Sequence, residues 1–263
     1  WSETVTIYAT GLTQGRLEQC GCFTDIEGGL EARAGFLDKA RTETPDALLI
    51  DVGGFMPPKK GKRKTPFLLP QEDAVNASVG ETNLRAMALL RYDAALAAPG
   101  DLAYGSVLKT LQAEKRFILG TNTDPKMDWV LPYQVCATGS LKIGIIGAIS
   151  LAEKNVTLGG GMQILPAGQI VVQSVETLRE RENVDAVIML AHEPPPTVKR
   201  WLAAYQGPPI DLAITLDFGI RVEKMGNTFL TNAPGKGRAI GKIVLQIEKG
   251  KGIVDAQYQR IPL

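Results

Sequence analysis

The N-terminal part of the chain contains a strand, a glycine-rich loop and a helix in succession, and this unit restricts the possible folds more than any other feature of the sequence. A short apolar run at residues 6–9, bounded by Thr10 and Gly11, has the length and β-branched content of a buried strand. After the loop, apolar residues recur at helical spacing at positions 30, 34, 37 and 40. In an α/β fold, functional side chains gather in the loop that leaves the carboxyl end of such a strand.

The same alternation of strand and helix patterns continues along the chain. Apolar runs typical of strands lie at 47–52, 93–98, 117–119, 131–137, 142–149, 185–190 and 211–216, and helical patterns lie at 82–91, 102–115, 169–181 and 196–205. Thr82 is the predicted N-cap of the first of these helices. The C-terminal segments at 228–231, 239–247 and 253–260 have strand patterns. This order predicts one α/β domain over 1–263 with antiparallel flanks and an irregular basic insertion at about 55–80.

The composition excludes several classes of function. The chain has 263 residues and a formal net charge of +1, so nothing in its overall charge favours binding to nucleic acid. No apolar run approaches the roughly 18 residues of a membrane span. With the single histidine His192, sites built on several histidines are excluded. The numbering starts at Trp1 instead of Met, which we interpret as a processed N-terminus, either by removal of a signal peptide or by trimming.

Ten segments in order resemble the metallophosphatase domain of the 5'-nucleotidase family, within the calcineurin-like phosphoesterases. They are YATGLTQGRLE at 8–18, GGLEARA at 28–34, LLIDVGG at 48–54, NLRAMALLRYDA at 83–94, APGDLAYG at 98–105, PY at 132–133, LKIGIIG at 141–147, VDAVIMLAH at 184–192, IDLAITLDFG at 210–219 and GKGRAIGKIVL at 235–245. The resemblance covers nearly the whole chain. It implies a calcineurin-like metallophosphoesterase fold, in which two mixed β-sheets form a sandwich flanked by helices. The nucleotide-binding C-terminal domain of the family has no counterpart in this sequence.

The metal-binding motifs of that family are mostly lost. Members bind two metal ions through Asp, His and Asn side chains, and their Asp-x-His motif is replaced by residues 12–14, Leu-Thr-Gln. Gly54 stands in the position of the bridging aspartate, and the Asn-His-Glu motif is replaced by residues 99–101, Pro-Gly-Asp. The final Gly-His-x-His motif is replaced by residues 216–219, Leu-Asp-Phe-Gly. The resemblance leaves three residues as a remnant of the family's metal site: Asp101, His192 and Asp217.

Ligand count argues against the family's chemistry in this chain. A two-metal site holds its cations about 3.5–4 Å apart, which requires a bridging carboxylate and several other donors. Leucine, glycine and proline supply no side-chain donor. We therefore expect no catalytic dinuclear centre and no cofactor of the chain's own, although the three remnant residues could hold one cation weakly. The chain is expected to be a pseudoenzyme within its family.

The loop after the first strand carries a distinctive Cys-Gly-Cys sequence. The segment LEQCGC at 17–22 resembles a bacterial branch of the family that has Leu-Glu-Pro-Cys-Gly-Cys here, with selenocysteine at the first cysteine in some members. That branch occurs beside or fused to multihaem c-type cytochromes, which implies an exported protein, periplasmic or extracellular. Cys20 and Cys22 could form a redox-active thiol pair, because a thiol near a helix N-terminus can have a lowered pKa. They could equally be inert thiols or a structural disulfide, and binding of a soft metal together with His192 is a third reading.

A short basic run is the other motif that needs an interpretation. It consists of Lys59, Lys60, Lys62, Arg63 and Lys64. Such a run is usually a solvated loop, and if it is functional it would dock an acidic partner such as a cytochrome surface.

These observations leave three hypotheses. The first is a non-catalytic domain that binds a protein partner, in an exported electron-transfer assembly that includes a multihaem cytochrome. The second is a thiol-redox protein that uses Cys20 and Cys22. The third is a residual metal-dependent phosphoesterase.

Overall fold

The fold is built around two six-stranded β-sheets that pack face to face. The computed structural model describes residues 2–19, 27–58, 71–114, 116–158, 161–217, 219 and 221–263. Each sheet contains parallel strands at its centre and antiparallel strands at an edge. This arrangement confirms the predicted fold class, which is two mixed β-sheets flanked by helices.

The first sheet has the strand order β14-β13-β1-β2-β3-β4. Its strands are β1 (Ser2–Thr10), β2 (Leu48–Asp51), β3 (Ala94–Leu96), β4 (Ile118–Leu119), β13 (Ala239–Glu248) and β14 (Gly252–Pro262). Strands β1 to β4 are parallel, whereas β13 and β14 are antiparallel to their neighbours. The helices between the parallel strands are α1 (Gly29–Glu43), α2 (Gln71–Leu89), α3 (Pro99–Leu102) and α4 (Gly105–Glu114). The carboxyl ends of β1, β2 and β3 therefore meet at one edge of the sheet.

The second sheet has the strand order β11-β12-β10-β9-β6-β5. Its strands are β5 (Tyr133–Thr138), β6 (Leu141–Ala148), β9 (Ala186–Ala191), β10 (Leu212–Leu216), β11 (Val222–Met225) and β12 (Thr228–Ala233). Helices α5 (Ala167–Glu180) and α6 (Pro195–Ala204) connect its parallel strands. A separate two-stranded sheet pairs β7 (Val156–Thr157) with β8 (Gln163–Ile164).

Strand β9 shows why its sequence is continuously apolar. Its six residues are all buried, because the sheet is covered on both faces. Ile188 and Leu190 belong to the main core, which includes Ile7 and Ile50 of the first sheet. Val187 and Met189, on the opposite face, pack in a second core with residues of α5 and α6. Alternate side chains of β9 therefore point to opposite faces of the sheet, one set into the core between the sheets and the other into the core under the helices.

Two of the expected element boundaries were wrong around the basic insertion. Helix α2 begins at Gln71, so residues 71–80 of the expected irregular insertion are helical. Thr82 lies inside this helix and is not its N-cap, since its Oγ1 donates a hydrogen bond to the carbonyl oxygen of Ser78 at 2.9 Å. The first ten residues of α2 have only Val75 and Val79 as large apolar residues and end in Gly80, and their pattern therefore gave no helical signal. The predicted helix at 102–115 begins at the last residue of α3 and otherwise corresponds to α4, which is a separate helix.

Over the described ranges, no helix combines the length and the apolar character needed to cross a membrane.

Candidate functional site

The candidate site lies at the carboxyl ends of β1, β2 and β3, where two loops are held together by backbone hydrogen bonds. The amide of Leu12 donates to the carbonyl oxygen of Gly53 at 2.8 Å, and the amide of Gln14 donates to the carbonyl oxygen of Gly54 at 2.8 Å. One residue further on, the amide of Gly15 donates to the carbonyl oxygen of Phe55 at 2.8 Å. The loop after β1 therefore follows the loop after β2 like an added strand, and its position is fixed by the main chain.

The position of the family's bridging aspartate is closed by a side chain. Gly53 and Gly54 have φ angles of 91° and 76°, in the left-handed region that glycine adopts most readily. A Cβ atom at Gly54 would lie 2.8 Å from Cδ2 of Leu12, which is too close for two carbon atoms. Leu12 itself has a φ of 48°, an uncommon conformation for a non-glycine residue. Leucine thus takes the volume that a metal-bridging carboxylate at position 54 would need.

Asp101 has both carboxylate oxygens engaged by the main chain. Oδ2 accepts hydrogen bonds from the amides of Gly54 at 2.8 Å and Ala98 at 2.9 Å, and Oδ1 accepts from the amide of Met56 at 2.8 Å. The side chain is 1% exposed. Burial raises the pKa of Asp101 to about 7, although the three amide donors act in the opposite direction. This residue therefore holds the loop after β2 against the start of α3.

His192 contacts the same glycine pair from the second sheet. Its Nδ1 lies 2.9 Å from the carbonyl oxygen of Val52. A carbonyl oxygen can only accept, so Nδ1 carries the proton and Nε2 of the neutral ring has a free lone pair. Burial lowers the pKa of His192 below its ordinary value, which favours the neutral imidazole. A Cβ atom at Gly54 would lie 3.2 Å from Cε1 of this ring.

Asp217 follows β10, whose last residue, Leu216, donates its amide to the carbonyl oxygen of Glu193 at 3.3 Å. Oδ1 of Asp217 accepts a hydrogen bond from the amide of Gly219 at 3.2 Å, and Asp217 lines a cavity with Arg221 and Asn232. Among the described residues, no group of three or more His, Cys, Asp and Glu side chains is placed to hold a metal ion. The structure thus brings Asp101 and His192 to the backbone of Gly53 and Gly54, and Asp217 lines a cavity at the end of the neighbouring strand β10. With glycine at position 54 and the side chain of Leu12 against it, the residues present do not fit a dinuclear metal centre.

A buried polar network lies beneath the two loops. Asp51 accepts hydrogen bonds from the amide of Gly53 at 2.7 Å and from Oγ1 of Thr10 at 2.6 Å. Oγ1 of Thr10 also lies 3.0 Å from the hydroxyl of Tyr92. Burial raises the pKa of Asp51 to about 6. Asp51 thus stabilises the turn at the end of its strand by accepting a backbone amide.

Arg33 is the residue of this region that the sequence analysis missed. It is 1% exposed, and its Nη2 donates to Oδ1 of Asn83 at 2.8 Å. Nδ2 of Asn83 in turn donates to the carbonyl oxygen of Phe55 at 2.9 Å, so the network reaches the loop after β2. The sequence signal that could have found it is the spacing of Arg33, Leu37 and Ala40, which places all three on one face of α1. In the structure this face is buried.

Two sets of predicted residues lie outside the described part of the chain. These are the thiols Cys20 and Cys22, and the basic residues Lys59, Lys60, Lys62, Arg63 and Lys64. The residues immediately before Cys20 are described. Positions 15–19 line a cavity of about 440 Å³ together with Val79. Cys136, the other cysteine of the chain, is buried in β5 and burial raises the pKa of its thiol to about 12.

Comparison with known proteins gives matches by structure alone. No protein family model matches the sequence, and no curated protein matches it either. Many solved structures do match.

Three of these structures show the range of the likeness. The 5'-nucleotidase precursor of Thermus thermophilus is 17% identical with a TM-score of 0.81, and the match covers 99% of this chain and 55% of the other. The sulfate thiohydrolase SoxB of the same organism is 15% identical with a TM-score of 0.76, covering 98% of this chain and 56% of the other. The calcineurin-like phosphoesterase YfkN of Bacillus subtilis is 18% identical with a TM-score of 0.70, covering 100% of this chain and 91% of the other.

These matches establish the architecture. The chain spans about half the length of the 5'-nucleotidase precursor and of SoxB, and nearly all of the YfkN structure. The match runs over essentially the whole of this chain in each case, so both sheets are included. The chain therefore has the calcineurin-like phosphoesterase fold, and its structural neighbours are 5'-nucleotidases and related phosphoesterases.

Proposed function

We propose that this chain is a non-catalytic, 5'-nucleotidase-like domain that binds a protein partner as an accessory subunit. The observation that carries the proposal is the contact between Leu12 and the position of a side chain at Gly54, where a Cβ atom would lie 2.8 Å from Cδ2 of Leu12. A bridging carboxylate is thus absent by sequence, and the space for one is filled. The family that the sequence resembles binds two metal ions for its chemistry, so a closed site would leave the scaffold without that chemistry.

The remaining polar residues of the site support the loops. Asp101 accepts three backbone amides, and Asp51 accepts one amide and the hydroxyl of Thr10. Buried carboxylates with these partners hold the main chain in a fixed shape. A rigid loop surface at the edge of a sheet is suited to recognition by another protein.

The partner that we propose is a multihaem c-type cytochrome in an exported electron-transfer assembly. Two features of the sequence support it: the resemblance of LEQCGC at 17–22 to the cytochrome-associated branch, and the basic run at 59–64. One structural neighbour is described as a 5'-nucleotidase precursor, which agrees with export to the periplasm or the cell exterior. The chain would contribute binding to this assembly without a cofactor of its own.

The absence of catalysis is tested with an aryl phosphate. The purified chain is loaded with Mn²⁺, and hydrolysis of p-nitrophenyl phosphate is compared with that of His192→Ala, which removes the imidazole beside Gly53 and Gly54. We expect the same background rate from both proteins. Mn²⁺-dependent hydrolysis that is lost in His192→Ala would instead support the residual phosphoesterase. Metal analysis of the protein from its native source should show only traces of Mn, Fe and Zn.

The partner is tested by binding to a multihaem c-type cytochrome from the same source. Isothermal titration at low ionic strength compares the wild type with a variant that carries alanine at the five basic positions from Lys59 to Lys64. The matched control removes the same charge from five exposed lysines elsewhere: Lys39, Lys109, Lys126, Lys154 and Lys249. We expect a loss of affinity in the first variant only. No binding of the wild type would count against this partner.

A thiol-redox function is the second candidate, and the cavity formed by residues 15–19 with Val79 favours it. This cavity precedes Cys20 in the chain and has the volume of a small-ligand pocket. In this reading, the thiols of Cys20 and Cys22 pass two electrons and two protons to a disulfide substrate and become a disulfide themselves. Cys20→Ser should abolish reduction of a small disulfide. Cys136→Ser is the control, since the buried Cys136 thiol stays protonated.

A further inference from the structure

A second cavity lies at the rim between the two sheets. Its volume is about 400 Å³, and residues from the end of β10, from β12 and from β14 line it together with Arg221, which precedes β11. The side chains that carry its chemistry are Asp217, Arg221, Asn232, Tyr258 and Arg260. A cavity of this size matches the pockets that bind small molecules.

The cavity combines two exposed cations with one carboxylate. Arg221 and Arg260 are exposed, and neither makes an ion pair with a carboxylate in the parts of the chain that the structure describes. Asp217 is half-buried, and its Oδ1 accepts from the amide of Gly219. Planar guanidinium groups bind the oxygens of a carboxylate or phosphate in pairs. Two of them at one cavity supply the positive charge that a doubly charged anion needs.

Tyr258 and Asn232 form the fixed wall of the cavity. The ring of Tyr258 lies across the backbone of Gly241 on the neighbouring strand β13, where a Cβ atom would lie 2.9 Å from Cε2 of the ring. Burial, together with the nearby Asp217, raises the pKa of the Tyr258 hydroxyl to about 12. The phenol is therefore protonated at neutral pH and can donate a hydrogen bond. Asn232 is 1% exposed at the base.

We propose that this cavity binds a small oxyanion that also carries a hydroxyl group, such as a hydroxylated carboxylate or phosphate ester. The guanidinium groups of Arg221 and Arg260 bind the anionic oxygens. The carboxylate of Asp217 accepts a hydrogen bond from the ligand's hydroxyl group. A ligand without a hydroxyl group cannot donate this hydrogen bond. Binding involves no covalent step and does not depend on the proposed accessory role.

Asp217 sets the specificity in this proposal. A carboxylate beside a bound anion repels it unless a donor lies between them. Malate, which has a hydroxyl group, should therefore bind more tightly than succinate, which has two carboxylates and no hydroxyl. In Asp217→Ala, succinate should bind more tightly than in the wild type, and the preference for malate should disappear.

The experiment is isothermal titration of the whole chain with malate, succinate and inorganic phosphate at low ionic strength. We expect malate to bind and the affinity to fall about tenfold or more in Arg221→Ala and in Arg260→Ala. Arg116→Ala, which removes an exposed arginine outside the cavity, should leave the affinity unchanged. Phosphate binding without malate binding would assign the cavity to phosphate compounds, and malate binding without phosphate binding would assign it to carboxylates.

Three results would overturn the proposal. One is the absence of binding by all three compounds to the folded wild type. Another is an equal loss of affinity in Arg116→Ala, which would reveal unspecific attraction to surface charge. Chemical-shift mapping locates the site independently, because binding in this cavity must move the side-chain amide signals of Asn232 and Gln259. Shifts confined to other residues would also contradict it.

Discussion

The carbonyl oxygen of Val52 lies 2.9 Å from Nδ1 of His192, and this contact determines which ring nitrogen carries the proton. The histidine belongs to the second sheet and Val52 follows the second strand of the first sheet, so the hydrogen bond joins the two halves of the molecule. It leaves Nε2 as the basic nitrogen of a neutral ring.

This relationship predicts the titration of the only histidine in the chain. Burial lowers the pKa of His192, so its ring signals should titrate below the ordinary value of 6.5. A lowered pKa in the folded state means that this contribution to stability is complete above pH 6.5 and decreases as the pH falls through the folded value. Ring NMR of the chelator-treated protein should show the Nδ1–H form at pH 7. An Nε2–H form would contradict the hydrogen bond, and the chain unfolded in urea supplies the reference titration.

Replacement of Gly54 tests the closed metal position. Gly54→Ala should lower the free energy of unfolding by about 1–3 kcal/mol, because the residue has a positive φ and its Cβ would contact Leu12 Cδ2 at 2.8 Å. Urea denaturation gives the change. Gly35→Ala is the matched control: this glycine is exposed in α1 and an added Cβ would meet no atom within 4 Å, so the substitution should stabilise the helix by up to about 1 kcal/mol. Equal effects of the two substitutions would contradict both the backbone strain at position 54 and the contact with Leu12.

Much of the fold could be predicted because the apolar runs in the sequence correspond closely to the buried strands of the structure. The run at 185–190 became β9, which is buried on both faces, and the run at 142–149 became β6. The start of α2 could not be predicted, since its first ten residues have only two large apolar residues and end in Gly80, so no apolar period marks them. Strand β1 extends back to Ser2 because β13, more than two hundred residues later, pairs with it. Such long-range pairing is not visible in a local pattern.

The sequence shows which metal donors are missing from the site, but it does not show which side chain fills the space. The sequence shows that positions 12 and 54 carry no metal donor, but only the structure shows that the side chain of Leu12 fills the volume at Gly54. Asp101 and His192 do lie at the same loop, and Asp217 lines a cavity with Arg221 at the end of the neighbouring strand β10. The relative positions of these side chains depend on how the two sheets pack, and the spacing of residues in the sequence does not determine that packing.

Arg33 is expected to be a main contributor to the stability of the loop region. Its guanidinium is buried and donates to Asn83, so Arg33→Ala leaves a polar amide without its donor and creates a cavity. The free energy of unfolding should fall by about 3–5 kcal/mol. Arg85→Ala, which removes an exposed arginine paired with Glu81, should cost less than about 1 kcal/mol. If both variants unfold at the same urea concentration, the buried network has no special role.

The last prediction concerns pH. Burial raises the pKa of Asp51 from 3.8 to about 6, so between these values the folded protein binds more protons at this site than the unfolded chain. The sign follows from proton linkage: this contribution to stability is complete below pH 3.8 and is lost as the pH rises through about 6. The loss is on the order of 2–3 kcal/mol for a shift of this size.

Asp51→Asn removes the titration while keeping the shape of the side chain. The amide oxygen can still accept from Gly53, and its NH₂ group can donate to Oγ1 of Thr10, whose hydroxyl then donates elsewhere. Urea denaturation of wild type and variant between about pH 4 and pH 7 should therefore show a shallower fall of stability in the variant. Asp255→Asn, at an exposed position in β14, should keep the wild-type slope. Parallel curves for wild type and Asp51→Asn would mean that Asp51 is ionised in the folded protein throughout this range.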